Sequence, residues 1–371
     1  MRFRRVSVLA ASLAFYASWN VIFVFVPLFV CVVVYLSSQW MLASPGKARQ
    51  WMWLGISLTL AVLVFFKCQY AGQDGRSTAH ACTSDCTSSG HFVYTFEAIG
   101  HLIDARQGRI RKTRFMDLCL FFLFWPNIMA GPIVRVRELV PQLKFKLEFE
   151  PRFAFGGLDR LIWGLVQKNV IANTLSLWVD KGFASRGFST PSTLDAWFLA
   201  VAFGLQIYFD FAGYSNMAIG AARLLGVTLP ENFREPYHAA TPPEFWARWH
   251  MTLSRWIRDY LFFPINAKYM GAPLPLYLSL ISVMALVGLW HGAGWTFILW
   301  GAMHGTYLVL FRLYESTRRG QQVLQSHGLL LAGGDYSLSS RSLQRWCHFG
   351  HRAFTTLAPY FHPCSSALLQ E

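Results

Sequence analysis

The sequence predicts an all-α fold, a polytopic bundle of transmembrane helices with about 8–10 membrane segments, some of them re-entrant. Three observations carry this expectation. Hydrophobic residues make up 54% of the 371 positions and aromatic residues 16%. Charged residues supply only 14%, against about 25% in soluble domains. Long apolar runs recur along residues 6–311, separated by short basic clusters, and the mean hydropathy is +0.33.

The N-terminus, MRFRRVSVLAASLAFYASW, has the basic and apolar regions of a signal peptide. Its apolar character continues through NVIFVFVPLFVCVVVYL, so a retained membrane helix is expected. Residues 6–38 exceed one span and read as two closely joined helices or one long tilted helix, which Pro27 can kink. SSQW–SPGKARQ reads as a basic loop, Trp51–Phe66 as a further span, and the small polar residues Gly72–Gly90 as a loop. In His91–Asp104, the residues Glu97, His101 and Asp104 are spaced four and three apart and share one helical face. That face either lines a cavity or is the wet side of an interfacial helix, and the interfacial reading is preferred.

Apolar runs follow at Phe115–Gly131, Phe153–Val179, Trp197–Leu225, Leu274–Trp290 and Trp295–Phe311. Basic clusters flank Phe115–Gly131 on both sides, which a simple crossing helix does not show under the positive-inside rule. Pro126, Gly131 and Pro132 break its end, so a re-entrant or broken segment is expected. The membrane domain is expected to cover residues 1–316, and residues 317–371 form a mixed polar tail.

The net charge of +14 is carried by clusters such as Arg2–Arg5, Arg106–Arg114 and Arg135–Lys146. Alternation with apolar runs points to membrane lipids with anionic headgroups as partners and argues against nucleic acid. Cys31, Cys68 and Cys119 fall in or beside apolar runs, where a free thiol behaves as a small hydrophobe. Cys82 and Cys86 lack paired C-x-x-C halves, and their segment reads as a polar loop rather than a metal site.

Ionisable groups are costly at membrane depth and usually mark a pathway or a reaction site. His291 stands between the apolar runs LPLYLSLISVMALVGLW and GWTFILW, so it is expected deep in the membrane layer. A neutral imidazole there is a competent general base for a hydroxyl and can return the proton as an acid. Pro242–Phe263 is expected as one helix, with His250, Ser254, Ile257 and Leu261 on a face and Arg255 and Asp259 paired across one turn. With Trp246, Arg248 and Trp249 it is too polar to cross lipid unprotected; an interfacial amphipathic helix and a functional site both fit. His304 lies off the face of His291 if the helix is continuous, and a structural role is preferred for it. No H-E-x-x-H spacing supports a metal site.

FWARWHMTLSRWIRDYLFFP and LWHGAGWTFILWGAMHG resemble the signature of the membrane-bound O-acyltransferases, in the bacterial alginate O-acetylase-like branch. YTFEAIGHLIDARQG, FWPNIMAGPIVRVREL, LQIYFDFAGYSNMAIGAARLLG and ENFREPY occur in the family's order. The resemblance implies a helix bundle around a central tunnel, with His291 as the catalytic base and His250 as a second histidine that orients a reactant. It further implies transfer of an acetyl group from a cytosolic thioester, acetyl-CoA, with no bound cofactor. The acceptor is a hydroxyl of an exported polysaccharide, reached with acetylation and export partner proteins at a bacterial inner membrane. In that context Trp246, Arg248, Trp249, Asp259, Trp290 and Trp295 are candidate tunnel residues, as are Asp210, Tyr214 and Asn216, which interrupt an apolar helix. Packing of that helix through Ala212, Gly213 and Ala218 is an equal alternative. Set against the family pattern, the chain is expected to start near the second helix and to lack the final helical pair. D-alanyl transfer to an envelope polymer, a proton-relaying transporter and a non-catalytic relative stay open at this level.

Overall fold

A computed structural model describes residues 2–19, 21–71, 81–110, 112–128, 131–144, 150–184, 192–266, 273–292, 294–317 and 322. The described residues are helical or irregular, with no strand among them. The described residues divide into two compact units, one within Met1–Leu177 and Gly204–Glu231, the other within Trp178–Phe203 and Asn232–Leu368.

The first unit begins with α1 (Arg2–Trp19) and α2 (Val21–Ala43), so the long apolar N-terminal run is two joined helices. Pro27 is accommodated inside α2. Helix α2 also takes in SSQW, and only Ser44 and a 3₁₀ turn at Pro45–Lys47 separate it from α3 (Ala48–Ala71). The expected basic loop is therefore a tight hairpin between two apolar helices. Gly55 sits where a Cβ would lie 2.7 Å from Ser37 Oγ, so the pair packs at glycine range.

Residues 72–80 of the expected polar loop lie outside the described residues, as do the side chains of Cys82 and Cys86. From residue 81 the chain is already helical, in α4 (Ala81–Arg106). Once a helix is nucleated downstream, each added residue gains a hydrogen bond, and a run of small residues without Pro can be drawn in.

On α4 the preferred interfacial reading is overturned. Glu97, His101 and Asp104 are 5%, 3% and 1% exposed. Glu97 accepts hydrogen bonds from Asn127 Nδ2 at 2.9 Å and the Val134 amide at 3.3 Å, and Asp104 holds Arg109 at 3.0 Å. The polar face was correctly periodic, but periodicity does not say whether water or protein covers it.

Phe115–Gly131 is broken, as Pro126 predicts: α5 (Phe115–Phe122) and α6 (Trp125–Ile128) are separated by Leu123 and Phe124. Eight residues rise about 12 Å, too short for a bilayer of about 30 Å. Phe121, Phe122 and Phe124 pack into the core with Val30, Val34 and Leu102. Asp117, buried in the first turn of α5, takes Lys144 of α7 (Val136–Lys144) at 2.6 Å.

Helix α8 (Pro151–Leu165) runs through a π-helical turn at Val166–Ala172 into α9 (Asn173–Ala184); α10 spans Thr193–Leu224. Glycines set two close crossings in this unit. A Cβ on Gly164 would stand 2.7 Å from the Gly213 carbonyl oxygen, and one on Gly220 2.6 Å from that of Gly157. Without a hydrophobic force between helices in lipid, such backbone contact is what small residues provide.

In the second unit, α11 (Pro242–Arg248), α12 (Met251–Ile257), a π-helical turn (Arg258–Phe262) and α13 (Phe263–Asn266) precede α14 (Pro273–His291) and α15 (Trp295–Glu315). Helices α14 and α15 form an antiparallel hairpin. A Cβ on Gly288 would meet the Phe297 carbonyl oxygen at 2.0 Å, one on Gly301 that of Met284 at 2.1 Å, and one on Gly305 the Ile281 Cα at 2.7 Å. Ser279 Oγ donates to Asn266 Oδ1 at 2.8 Å and fastens α13 to α14.

Among the described residues, four segments are long and apolar enough to cross a membrane: Val24–Ala43, Pro45–Phe65, Thr193–Leu224 and Pro273–His291. Of the expected polar tail, residues 318–321 and 323–371 lie outside the described residues.

Candidate active site

His250 does not sit inside a helix. The stretch predicted as one helix from Pro242 to Phe263 is interrupted at Trp249, which is extended, and at His250, which has φ 40°. Positive φ in a residue with a Cβ costs about 1–3 kcal/mol and persists only where surrounding contacts impose it. Here the contacts are a backbone clamp. The Arg234 amide donates to the Arg248 carbonyl at 3.0 Å, and the Met251 amide donates to the Asn232 carbonyl at 2.8 Å. Among the described residues, the other non-glycine at positive φ is Glu235, φ 46°, which follows Arg234 of the clamp directly.

The clamp also sets the chemistry of the imidazole. His250 Nδ1 lies 2.8 Å from Asn232 Oδ1, which also accepts from Thr252 Oγ1 at 2.9 Å and from the Thr252 amide at 3.4 Å. A backbone N–H can only donate, so the Asn232 atom it faces is the carbonyl oxygen. His250 Nδ1 must then carry the proton, so in the neutral ring Nε2 carries none. The ring is 7% exposed, and burial pushes its pKa down to about 3, with His291 acting in the same direction. His250 is thus a neutral, oriented ring at any physiological pH.

His291 is the last residue of α14, half-buried at the hairpin turn. Of the two, His250 is the one enclosed by protein, at 7% exposed. The two apolar runs fold back on each other as α14 and α15, and His291 ends the first of them.

A chain of rings joins the histidines within this unit. The His291 ring centroid is 4.6 Å from Trp290 and 5.6 Å from Trp300, and Trp300 lies 4.8 Å from His304. His304 lies 5.3 Å from Trp246. Trp246 meets Phe245 at 5.4 Å, Phe245 stacks on Trp249 at 5.6 Å, and Phe233 contacts Trp249 at 5.1 Å and His250 at 6.4 Å. The hairpin is what returns His304 toward His291, since a continuous helix would have turned it away.

Of the other predicted residues, Arg248 pairs with Glu244 at 2.7 Å. Glu244 also accepts from the Ala240 amide at 2.8 Å while its own amide donates to Thr241 Oγ1 at 3.3 Å, a capping-box arrangement that starts α11. Asp259 takes Arg258 Nε at 2.9 Å. Trp295, 80% exposed, stands outside the ring cluster. Asp210, Tyr214 and Asn216 belong to the first unit and are engaged there. Asp210 pairs with Lys168 of the π-helical turn, whose Nζ lies 4.8 Å from the centre of the Tyr214 ring. Asn216 accepts from Arg160 Nε at 2.9 Å and donates to Gln167 Oε1 at 2.6 Å, and Arg160 also holds Glu231.

Asn232, Thr252, Phe233 and Trp300 are residues of this site that sequence reasoning left without a role. ENFREPY stood out as a block, but nothing local says that Asn232 reaches a residue eighteen positions on. Replacing Asn232 with leucine removes the acceptor that holds Nδ1–H. We expect a 10–100-fold loss of turnover with the protein still folded, as for other groups that orient a functional imidazole. Asn232→Asp, which keeps the acceptor, should recover much of it. Steady-state turnover by both variants checks this, and full turnover in Asn232→Leu would show that the contact is only structural.

The pattern of the membrane-bound O-acyltransferase family, MBOAT, matches residues 7–329 of this chain. Similar proteins include the probable alginate O-acetylase AlgI of Azotobacter vinelandii, 38% identical over 327 residues that cover 84% of this chain and 64% of that protein. Its counterpart from Pseudomonas aeruginosa is 37% identical over 84% of this chain and 61% of its own length. The peptidoglycan O-acetyltransferase of Helicobacter pylori is 32% identical over 85% of this chain and 66% of its own. The chain thus spans between 61% and 66% of the length of these relatives.

Proposed function

Because the chain belongs to the membrane-bound O-acyltransferase family, we propose that it acts as an O-acetyltransferase of the bacterial inner membrane. It transfers acetyl groups to an exported polysaccharide, in a multi-pass helix bundle with a central tunnel. The observation that carries this reading is the ring-linked assembly of His291 and the Asn232-oriented His250 in one unit. The names of the relatives, alginate and peptidoglycan O-acetylating enzymes, support the polysaccharide acceptor.

In the proposed reaction a cytosolic acetyl thioester, acetyl-CoA, is the donor. His291 takes the proton of the acceptor hydroxyl as that oxygen attacks the thioester carbonyl. The C–S bond breaks, the thiolate leaves, and the imidazolium returns the proton to it. His250, its ring oriented by Asn232, contacts a donor or acceptor group and holds it in line. The aromatic rings around both histidines exclude water that would hydrolyse the thioester. Acetylation and export proteins deliver the polymer or complete the transfer.

The test is turnover by the purified full chain in nanodiscs with acetyl-labelled CoA and an acidic polysaccharide. Release of free CoA together with acceptor-dependent label in the polymer is the expected result. A folded preparation that releases no thiol above the heat-treated control would sink the reading, and proton transport without thiol release would replace it with a relay transporter.

A further inference from the structure

A second site lies in the first unit, far along the sequence from either histidine. A cavity of about 250 Å³ opens where α2, α3, the end of α4 and the loop that follows it meet. Its polar floor is His101 with Ser38 and Thr113, its cations are Arg106 and Lys112, and Leu42 forms part of its apolar edge. No carboxylate is among its lining residues.

His101 is 3% exposed, and neither ring nitrogen has a hydrogen-bond partner among the described residues. A buried polar atom without a partner is costly, and each such group in a native fold calls for an occupant. An imidazole presents one donor and one acceptor when neutral, which a polyol hydroxyl matches because it can do both. The two cations are exposed, as is Leu42 at 49%. The cavity therefore presents a polar floor, a positive rim and an apolar edge.

Its depth is set by the chain. One candidate span ends at Ala43 and the next begins at Pro45, so the turn between them sits at a membrane surface. Trp40 and Trp51, with ring centroids 4.8 Å apart, flank that turn as aromatic residues do at the headgroup level. We propose that this cavity seats the headgroup of an anionic phospholipid with a glycerol head, phosphatidylglycerol being the simplest. The phosphate lies between Arg106 and Lys112, the glycerol hydroxyls reach His101, and the acyl chains leave past Leu42. The chemistry recognised is a phosphate diester bearing a small polyol, and a soluble glycerol phosphate shares it except for the chains.

Lipid binding to the detergent-purified full chain, followed by native mass spectrometry, tests this directly. Arg106→Ala with Lys112→Ala changes exposed side chains and should fold normally. Its affinity for phosphatidylglycerol should fall about tenfold or more, at about 1 kcal/mol per basic residue near a membrane surface. Arg137→Ala with Arg152→Ala, which removes the same charge elsewhere, should leave it unchanged. His101→Phe should reduce the preference for phosphatidylglycerol over phosphatidic acid, which has the charge without the polyol. Equal losses in both double variants would reduce the effect to diffuse attraction of the membrane and overturn the site. An unchanged preference in His101→Phe would overturn the role of the floor. Binding of soluble glycerol phosphate as tight as that of the lipid would overturn the assignment to a lipid. None of these readouts involves acyl transfer, so the outcome is independent of the proposed reaction.

Discussion

Replacing His291 with alanine is expected to lower the proposed acetyl transfer by about 10²–10⁴-fold, the usual contribution of a positioned general base, the role proposed for it. The ring is half-buried at the end of α14, between Trp290 and Trp300, so its loss leaves a small polar gap rather than a collapsed core. Protein level and membrane insertion should stay close to those of the native chain. His291→Gln, which fills the space but has no basic nitrogen, should be as inactive as alanine. Polymer-bound acetyl measured in cells lacking the native gene checks both variants. His250→Ala should lose less by this measure, since the proposed reaction gives that ring an orienting role and gives the proton to His291. Near-normal acetylation in His291→Ala would remove the base assignment, and equal losses in both single variants would make the two rings one functional pair.

The second large effect is structural. Gly301→Leu should prevent the α14–α15 hairpin from closing and so abolish activity together with the folded protein. Even the Cβ of alanine would stand 2.1 Å from the Met284 carbonyl oxygen, and that atom is backbone, which cannot swing aside as a side chain can. Gly288 faces the same limit at 2.0 Å from the Phe297 carbonyl oxygen. Overpacking a soluble core costs about 1–3 kcal/mol. Between helices in lipid the loss is felt more, because close van der Waals contact is itself the attraction. His291 and His304 are brought together by this hairpin, so its opening separates the rings even in a chain that still inserts. Gly294→Ala is the matched control: its Cβ would lie 3.4 Å from Thr296 Oγ1, an ordinary contact, with no positive φ to forbid a side chain. Folded protein by size-exclusion chromatography, and thermal midpoint in detergent, should be lost for Gly301→Leu and kept for Gly294→Ala. A well-folded, active Gly301→Leu would mean that the hairpin packs in some other way.

Several parts of the fold were legible because their causes are local. Apolar runs announced the helices, Pro126 announced a break in the Phe115–Gly131 run, and spacings of four and three put Glu97, His101 and Asp104 on one face. What covers that face was not local. Its burial depends on Asn127 and Val134, thirty and thirty-seven positions away from Glu97. The polar residues of α10 were noticed for the same reason that a tunnel would be noticed, yet Asp210 and Asn216 find their partners in Lys168, Gln167 and Arg160 across glycine-set crossings.

By itself, the sequence determined that this is a helical membrane chain of the O-acyltransferase family and that His250 and His291 are the histidines to examine. Those conclusions rest on hydropathy, residue spacing and ordered motifs, all of which survive without knowledge of which segments touch. Only the tertiary structure decided which histidine is buried, which tautomer His250 holds and how His304 comes near His291. Each of these follows from contacts between segments distant in sequence. The Asn232–Met251 backbone bond forces a left-handed residue into a helical pattern, and the Gly288 and Gly301 contacts fold two apolar runs back on each other.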